Sequence, residues 1–305
     1  MAQGSSKVSL GVVVVCLAAL GGVLFYSIKQ LPSEVNATNA GNAPSQLFSP
    51  AERGALNEVL AGIKAGSPVD AVANAGQHAG LSAMMIAALH SKPDIIKALG
   101  DAKANVNLRG PDGKTALIYA AGWGNSSTVK SLLDANARID ERTDDRWTAL
   151  MMAAGRGEDA SVKLLVDSGA DINAKNRWGQ TPMMAAARSG NVMKVRTLAQ
   201  AGADANAIDS TGATALSLAC TTPGHAELIA ELAKAGAEVN GSDNDGVTPL
   251  MRAADTGDIE MVRAVIAQKA NAKAKDRSGR TASDWAKARD DDSGKAIAVL
   301  IDATE

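Results

Sequence analysis

The sequence predicts an all-α solenoid of stacked helix pairs, with β-turn fingers between the pairs and a transmembrane helix in front of them. Three observations lead to this prediction. One phrase recurs along most of the chain at a spacing of about 33 residues. Aromatic residues make up only 3% of the 305 residues, and the apolar residues are mainly Ala, Leu and Val, which favours close helix packing over a β-sandwich. An uncharged apolar run lies near the N-terminus.

The first element is a short tail at residues 1–7, followed by the apolar run at residues 8–28, VSLGVVVVCLAALGGVLFYSI. A helix of this length crosses a bilayer core of roughly 30 Å. The alternative is a cleaved signal peptide that ends after Ala37, but the apolar core of such a peptide is usually shorter, about 7–15 residues. We therefore expect a transmembrane helix or signal anchor in contact with the lipid bilayer.

The next segment is rich in Asn, Ala, Ser and Pro and has little to bury, which predicts a flexible tether over residues 29–48. Lys7 favours a cytoplasmic N-terminus, since positive charge is retained on that side. The expected protein is therefore single-pass, with its repeat domain on the translocated, periplasmic side. The cytoplasmic side is the alternative.

The repeats are aligned on a Thr or Ser that precedes each apolar run. These anchors are Ser82, Thr115, Thr148, Thr181, Thr214, Thr248 and Thr281. A glycine stands two residues before every anchor except Thr148, where Arg146 takes its place, and a pair of small residues stands five and six residues after each of the first six anchors. Each unit reads as a helix, a glycine break and a second helix. Neighbouring units must stack, because one unit alone cannot bury its apolar face.

Two of these phrases carry a family resemblance. TPMMAAARSGNVMKVRTLAQAGADAN, from Thr181, and TPLMRAADTGDIEMVRAVIAQKANAK, from Thr248, resemble ankyrin repeats. The resemblance covers roughly residues 56–305, about four-fifths of the chain, and implies a repeat domain over residues 49–305. We divide it into an N-terminal cap at 49–77, six repeats and a C-terminal cap at 277–305. The predicted repeats cover residues 78–110, 111–143, 144–176, 177–209, 210–243 and 244–276.

The two ends depart from the repeated phrase. The N-terminal cap is predicted as one helix with an apolar stripe formed by Leu56, Val59, Leu60 and Ile63. The C-terminal cap keeps the frame and places Trp285 at a buried position. The acidic run after Arg289 is predicted as a solvated loop between the two cap helices rather than a cation site.

Sulfur-containing residues occupy the predicted core. Cys220 stands in the small-residue column, which favours a packed structural thiol over a reactive one. Methionine adapts to irregular gaps, so core filling is favoured over a metal or redox role. The methionines concerned are Met84, Met85, Met151, Met152, Met183, Met184 and Met251.

No catalytic constellation is recognisable in the sequence. His78, His90 and His225 have no metal-ligand spacing, and neither a nucleotide-binding loop nor a nucleophile elbow is present. The net charge of −2 gives no electrostatic case for nucleic acid. We therefore expect no enzymatic activity, no cofactor, no metal site and no nucleic-acid binding.

The resemblance implies that partner contacts come from finger positions and from positions after the alanine pair. Six of these residues are Trp or Arg, the types most enriched at binding hot spots. The predicted protein-binding residues are Trp123, Trp147, Trp178, Arg156, Arg177 and Arg188. The alternative is that each Trp packs locally against a neighbouring finger. Other candidate positions are His90, Lys114, Asp145 and Gln180.

The predicted function is a membrane-tethered scaffold that binds a protein partner on the concave face of an ankyrin array. Two alternatives are kept. The chain is a regulatory or sequestering subunit of an enzyme, or it is an array that binds a small ligand and is secreted after signal-peptide cleavage.

Overall fold

Sixteen α-helices, arranged as a stack of eight helix pairs, fill the part of the chain that the structure, a computed structural model, describes: residues 45–304. The predicted tail, the apolar run at 8–28 and the tether up to residue 44 lie outside these residues. Among the described residues, no helix has the length and apolar character needed to span a membrane.

The first helix of each pair belongs to one layer and the second helix to another. The first layer contains α1 (Ser45–Arg53), α3 (Ala83–Leu89), α5 (Ala116–Trp123), α7 (Ala149–Gly155), α9 (Pro182–Arg188), α11 (Ala215–Ala219), α13 (Pro249–Thr256) and α15 (Ala282–Lys287). The second layer contains α2 (Leu56–Lys64), α4 (Pro93–Asp101), α6 (Ser126–Asp134), α8 (Asp159–Asp167), α10 (Val192–Gln200), α12 (Ala226–Lys234), α14 (Ile259–Ala267) and α16 (Asp292–Asp302). A short 3-10 turn covers Pro111–Gly113. Within each layer, consecutive helices pack against each other.

The anchor residues of the sequence frame are helix N-caps. The hydroxyl of Thr148 accepts a hydrogen bond from the backbone N–H of Met151 at 3.3 Å, at the start of α7. Thr181 caps α9 in the same way, through the N–H of Met184 at 3.3 Å. A hydroxyl at this position satisfies a donor that the first turn leaves without a partner. The repeated Thr therefore fixes where each first-layer helix begins.

Small residues let the two layers approach closely. Ala120, Ala121, Ala153 and Ala154 are fully buried, as the paired-alanine column predicts. Cys220 lies directly after α11, at the same position of its repeat as Ala121 and Ala154, and is also fully buried. Burial raises the pKa of its thiol to about 12. The prediction of a packed structural thiol is confirmed.

Methionine fills the core as predicted, with one exception. Met152 is only partly buried, and it lies beside Gly122 of α5. The other six are at most 2% exposed: Met84, Met85, Met151, Met183, Met184 and Met251.

Neighbouring repeats are linked by polar side chains as well as by apolar contact. The side-chain oxygen of Asn173 accepts a hydrogen bond from the backbone N–H of Asp204 at 2.9 Å, one repeat further on. Asn206 accepts in the same way from Glu238 at 2.7 Å. These asparagines end two similar stretches of the sequence, GADIN at 169–173 and GADAN at 202–206. Each one satisfies a backbone donor of the next repeat and so links neighbouring repeats.

The N-terminal cap differs from its prediction. It is a complete helix pair, because α1 begins at Ser45, inside the segment predicted as a flexible tether over 29–48. Leu47 is 1% exposed and packs with the core, which explains why this segment is ordered into a helix. In α2, Val59 is buried as expected, but Leu60 is 46% exposed and does not belong to the apolar stripe.

The C-terminal cap agrees with its prediction in the acidic run but not in the full burial of Trp285. The acidic run is the loop between α15 and α16, and Asp291 caps α16 by accepting a hydrogen bond from the backbone N–H of Gly294 at 2.6 Å. Trp285 packs against the core from a partly buried position. Its indole N–H donates to the carboxylate of Asp276 at 3.0 Å.

Candidate functional site

A group of aromatic and basic side chains lies at the end of α5, in which Trp123 and Arg156 are exposed, Lys114 is half-buried and Tyr119 is buried. Trp123 closes this helix with 42% of its surface exposed. The ring of Tyr119, one turn earlier, lies 6.1 Å away between centroids, and the Arg156 guanidinium of the next repeat lies 5.6 Å from the Trp123 ring. The Lys114 ammonium lies 5.9 Å from the Tyr119 ring. We call these four residues, Lys114, Tyr119, Trp123 and Arg156, the Trp123 cluster.

The repeat frame explains why these residues meet. Trp123 and Arg156 both stand eight residues after their anchors, Thr115 and Thr148. Equivalent positions of adjacent repeats become neighbours when the first-layer helices stack. Gly122 keeps α5 and α7 close, because a Cβ atom there would lie 3.1 Å from the end of the Met152 side chain.

The charges of the Trp123 cluster are only partly balanced. Lys114 pairs with Asp112 at 3.1 Å. Burial, together with Asp112, raises the pKa of Tyr119 to about 12, so its phenol stays neutral. Among the described residues, Arg156 forms no ion pair within 4 Å and no side-chain hydrogen bond, so its guanidinium is held by cation–π contact with Trp123. The surface therefore offers an indole face and guanidinium donors to a partner.

Arg188 lies outside the Trp123 cluster. It stands seven residues after Thr181, one position earlier than Trp123 and Arg156 in the frame. One residue corresponds to about 100° of rotation around a helix. Arg188 is accordingly half-buried in the last turn of α9, and the structure does not bring it into the column that Trp123 and Arg156 share.

The finger residues form a second exposed group. Trp178 is 40% exposed, and its backbone is held on both sides: its N–H donates to the Asn176 side chain at 2.9 Å and its carbonyl accepts from Ser210 at 2.8 Å. Arg177 pairs with Asp145 of the preceding finger at 2.9 Å. The backbone of this finger is therefore held by hydrogen bonds, and the indole of Trp178 is exposed on it.

Trp147 has a different environment from the other two candidate tryptophans. It is only half-exposed, and it stands directly before its anchor. The same position holds buried apolar residues in three other repeats, namely Leu81, Ala213 and Val247, and polar residues in the remaining three, namely Lys114, Gln180 and Arg280. The side chain of Trp147 therefore serves at least partly in packing within the repeat array.

A further cluster of polar residues was missed at the sequence level. Glu52 of α1, His78 before α3 and His90 at the end of α3 come together, with potential ligand atoms all within 4.8 Å of one another. The spacing of the two histidines gives no recognisable signal, and the third member lies on a helix that the sequence did not predict.

The described residues form stacked helix pairs whose first helices are capped by hydroxyl groups and whose fingers are linked by hydrogen bonds. This is the architecture of a helical repeat protein. The chain belongs to the ankyrin repeat family. A family model described as ankyrin repeats in three copies matches residues 47–143, 84–176, 124–209, 150–243 and 216–303. No curated protein sequence matches the chain. Ankyrin repeats are protein–protein interaction modules, and this is the functional class of the chain.

Proposed function

We propose that this protein is a non-enzymatic scaffold, tethered to a membrane by residues 8–28, that captures a protein partner on the face formed by its fingers and first-layer helices. The Trp123 cluster is the observation that supports this most directly. It combines a large exposed indole with a guanidinium that has no carboxylate partner among the described residues. Trp and Arg side chains of this kind dominate the energetics of many protein interfaces.

The arrangement also indicates what the partner surface contains. A carboxylate can pair with the free donors of Arg156, and an apolar side chain can cover the Trp123 ring. Trp178, Arg177, Trp147 and Arg188 extend the proposed face over the following repeats. The indole of Trp178 is exposed on a finger whose backbone is fixed, so its contact costs little ordering on binding.

Site-specific photo-crosslinking tests the proposed face. A photoreactive amino acid in place of Asp144 or Ser210, exposed finger residues that are not among the proposed contacts, is expected to give one defined adduct with a cellular protein. The matched control carries the same amino acid in place of Met193, which is 51% exposed on second-layer helix α10. Equal adducts from position 193, or no adduct from either finger position, would overturn the proposal.

The membrane tether is supported by the 21 uncharged residues at 8–28, flanked by Lys7 and Lys29. We propose that the repeat domain lies on the translocated side. In a Cys16→Ser background, a Ser33→Cys variant should then react with an impermeant thiol reagent on intact spheroplasts. Cys220 contributes no background because it is buried. Labelling that appears only after lysis would reverse the orientation, and recovery of the unlabelled chain in the soluble fraction would refute the tether.

A further inference from the structure

Three elements of the N-terminal region meet at one point. The Nε2 atom of His78 lies 3.3 Å from one carboxylate oxygen of Glu52, and the Nε2 atom of His90 lies 3.8 Å from the other. The two imidazole rings are perpendicular, with centroids 5.5 Å apart. Glu52 belongs to α1, His78 to the turn before α3, and His90 to the end of α3.

One of the two candidate ligand nitrogens is left unsatisfied, because the Nε2 atom of His90 is buried and has no hydrogen-bond partner among the described residues. A buried polar atom without a partner is costly, so native structures rarely keep one without a reason.

We propose that Glu52, His78 and His90 bind one divalent transition-metal ion of the Zn²⁺ type. A tetrahedral ion with bonds of about 2.0–2.1 Å separates its ligand atoms by roughly 3.4 Å. The Nε2 atoms of His78 and His90 lie 3.3 and 3.8 Å from different oxygens of Glu52, and one ligand atom of each residue lies within 4.8 Å of the others. Small side-chain shifts would bring one carboxylate oxygen and both nitrogens to the tetrahedral spacing.

The donor set selects the kind of ion. Two imidazoles and one carboxylate suit Zn²⁺ and its neighbours in the transition series. Mg²⁺ and Ca²⁺ prefer oxygen ligands throughout and are poorly matched. Three protein ligands leave a fourth position for water or for a donor from outside the domain.

The position of the site gives it a structural role. A terminal repeat has a neighbour on one side only, so it is held by fewer contacts than a central repeat. An ion bound to Glu52, His78 and His90 would join α1 to the first-layer helix of the next pair. It would thus hold the N-terminal helix pair on the stack.

Gln77 competes with the ion for the same ligands. Its side-chain amide nitrogen lies 3.0 Å from Glu52 and 3.2 Å from His78 Nε2. Because Gln77 is exposed, its side chain can swing away when an ion binds. The Nδ1 atom of His78 lacks the second hydrogen bond that commonly orients a metal-binding histidine. We therefore expect micromolar rather than nanomolar affinity for Zn²⁺.

The test uses the untagged full-length chain after treatment with a chelator. Titration with ZnCl₂, followed by calorimetry, is expected to saturate at one equivalent, whereas MgCl₂ should give no binding heat. The chain has three histidines, so their ring signals in NMR spectra can be followed individually. Zinc should shift the signals of His78 and His90 and leave those of His225 in place.

Variants then locate the site. His78→Asn and His90→Asn should each weaken zinc binding at least about tenfold, the scale on which even outer-shell partners act. Glu52→Gln should also weaken zinc binding at least about tenfold, and it keeps the shape of the side chain. This variant replaces a histidine variant as the test if the histidine variant loses its helical circular dichroism. His225→Asn is the matched control, and Gln77→Ala should bind as well as the wild type or better. Non-saturating titration, or unchanged zinc binding by the E52Q variant, would overturn the proposal.

Discussion

The guanidinium of Arg156 lies over the indole ring of Trp123, with its central carbon 5.6 Å from the ring centroid, although the two residues are 33 positions apart. The separation equals one repeat, so the contact is a product of stacking. The contact is formed at a position of the repeat where the fold does not require a particular residue, because the residues at this position differ in size and charge between repeats. The pair therefore joins the repeated architecture to the surface that we propose for binding.

The Trp123–Arg156 contact should be measurable in the isolated protein. A double-mutant cycle with Trp123→Ala and Arg156→Ala is expected to give a coupling energy of about 0.5–1 kcal/mol, the usual size of an exposed cation–π contact. Chemical denaturation measures it. A parallel cycle with Arg188→Ala in place of Arg156→Ala should give no coupling, and equal coupling in both cycles would argue against a specific contact.

Arg146 holds a backbone conformation that favours glycine. Its φ of 65° is left-handed, and the glycines at the same position of the other repeats, such as Gly179 with φ of 76°, adopt it without strain. Arg146→Gly is therefore expected to stabilise the chain by about 0.5–1 kcal/mol, after the entropic cost of glycine is subtracted. The denaturation midpoint checks this.

Gly179→Ala is the matched opposite change. It should lower the midpoint, because its Cβ would lie 3.2 Å from the backbone of Asp209. A fall in the midpoint for Arg146→Gly would mean that the arginine side chain makes contacts that outweigh the strain of its backbone.

Cys220 should be inert until its repeat opens. Its thiol is fully buried and its pKa is raised to about 12, so almost no thiolate is present at neutral pH. In a Cys16→Ser background, a thiol reagent is expected to label Cys220 only in denaturant. Rapid labelling under native conditions would contradict this.

Substitution of Cys220 gives an independent check of the small-residue column. Cys220→Ala should cost about 1 kcal/mol or less, since Ala121 and Ala154 occupy the same column. Cys220→Leu should cost about 1–3 kcal/mol through overpacking. Equal denaturation midpoints for the two variants would show that this position of the repeat accepts a larger side chain without loss of stability.

Asp276 should make part of the stability depend on pH. Burial by itself raises the pKa of this carboxyl, but hydrogen bonds from the Arg280 backbone, Trp285 and the Arg280 side chain outweigh it, so the pKa lies below its usual value. A lowered pKa in the folded state stabilises the protein above the unfolded value of about 3.9. That stabilisation is lost as the pH falls through the folded value.

Denaturation midpoints measured between about pH 7 and pH 2 test the role of Asp276. The wild type should lose stability below about pH 4. Asp276→Asn should be less stable at neutral pH and should show a shallower loss, because the titrating group is absent. Parallel curves for the two proteins would exclude Asp276 as a source of the pH dependence.

The repeat frame was predictable from the sequence because each of its columns has a local physical reason. The hydroxyl of Thr148 must cap α7, and Ala153 and Ala154 must let the layers meet. Helix α1 was not predictable in this way, since SQLFSPAER lacks the repeated phrase and contains Pro50. Its apolar residues are buried only because neighbouring helices supply the rest of the core.

The candidate sites were predictable only in part. The exposure of Trp123 and Trp178 agrees with their variable columns, but the partial burial of Trp147 depends on packing that one sequence does not reveal. The cluster of Glu52, His78 and His90 requires α1 to be in place before its members can meet. Tertiary contact, rather than spacing along the chain, creates that cluster.

The central claim is that Trp123 anchors a protein partner, and partner affinity tests it most directly. The partner identified by crosslinking is titrated against the wild type, Trp123→Ala and the control Met193→Ala, with circular dichroism used to check that each chain is folded. A hot-spot residue contributes about 2 kcal/mol or more, so Trp123→Ala should bind at least tenfold more weakly, while Met193→Ala should bind as the wild type does. Wild-type affinity in a folded Trp123→Ala variant would contradict the claim.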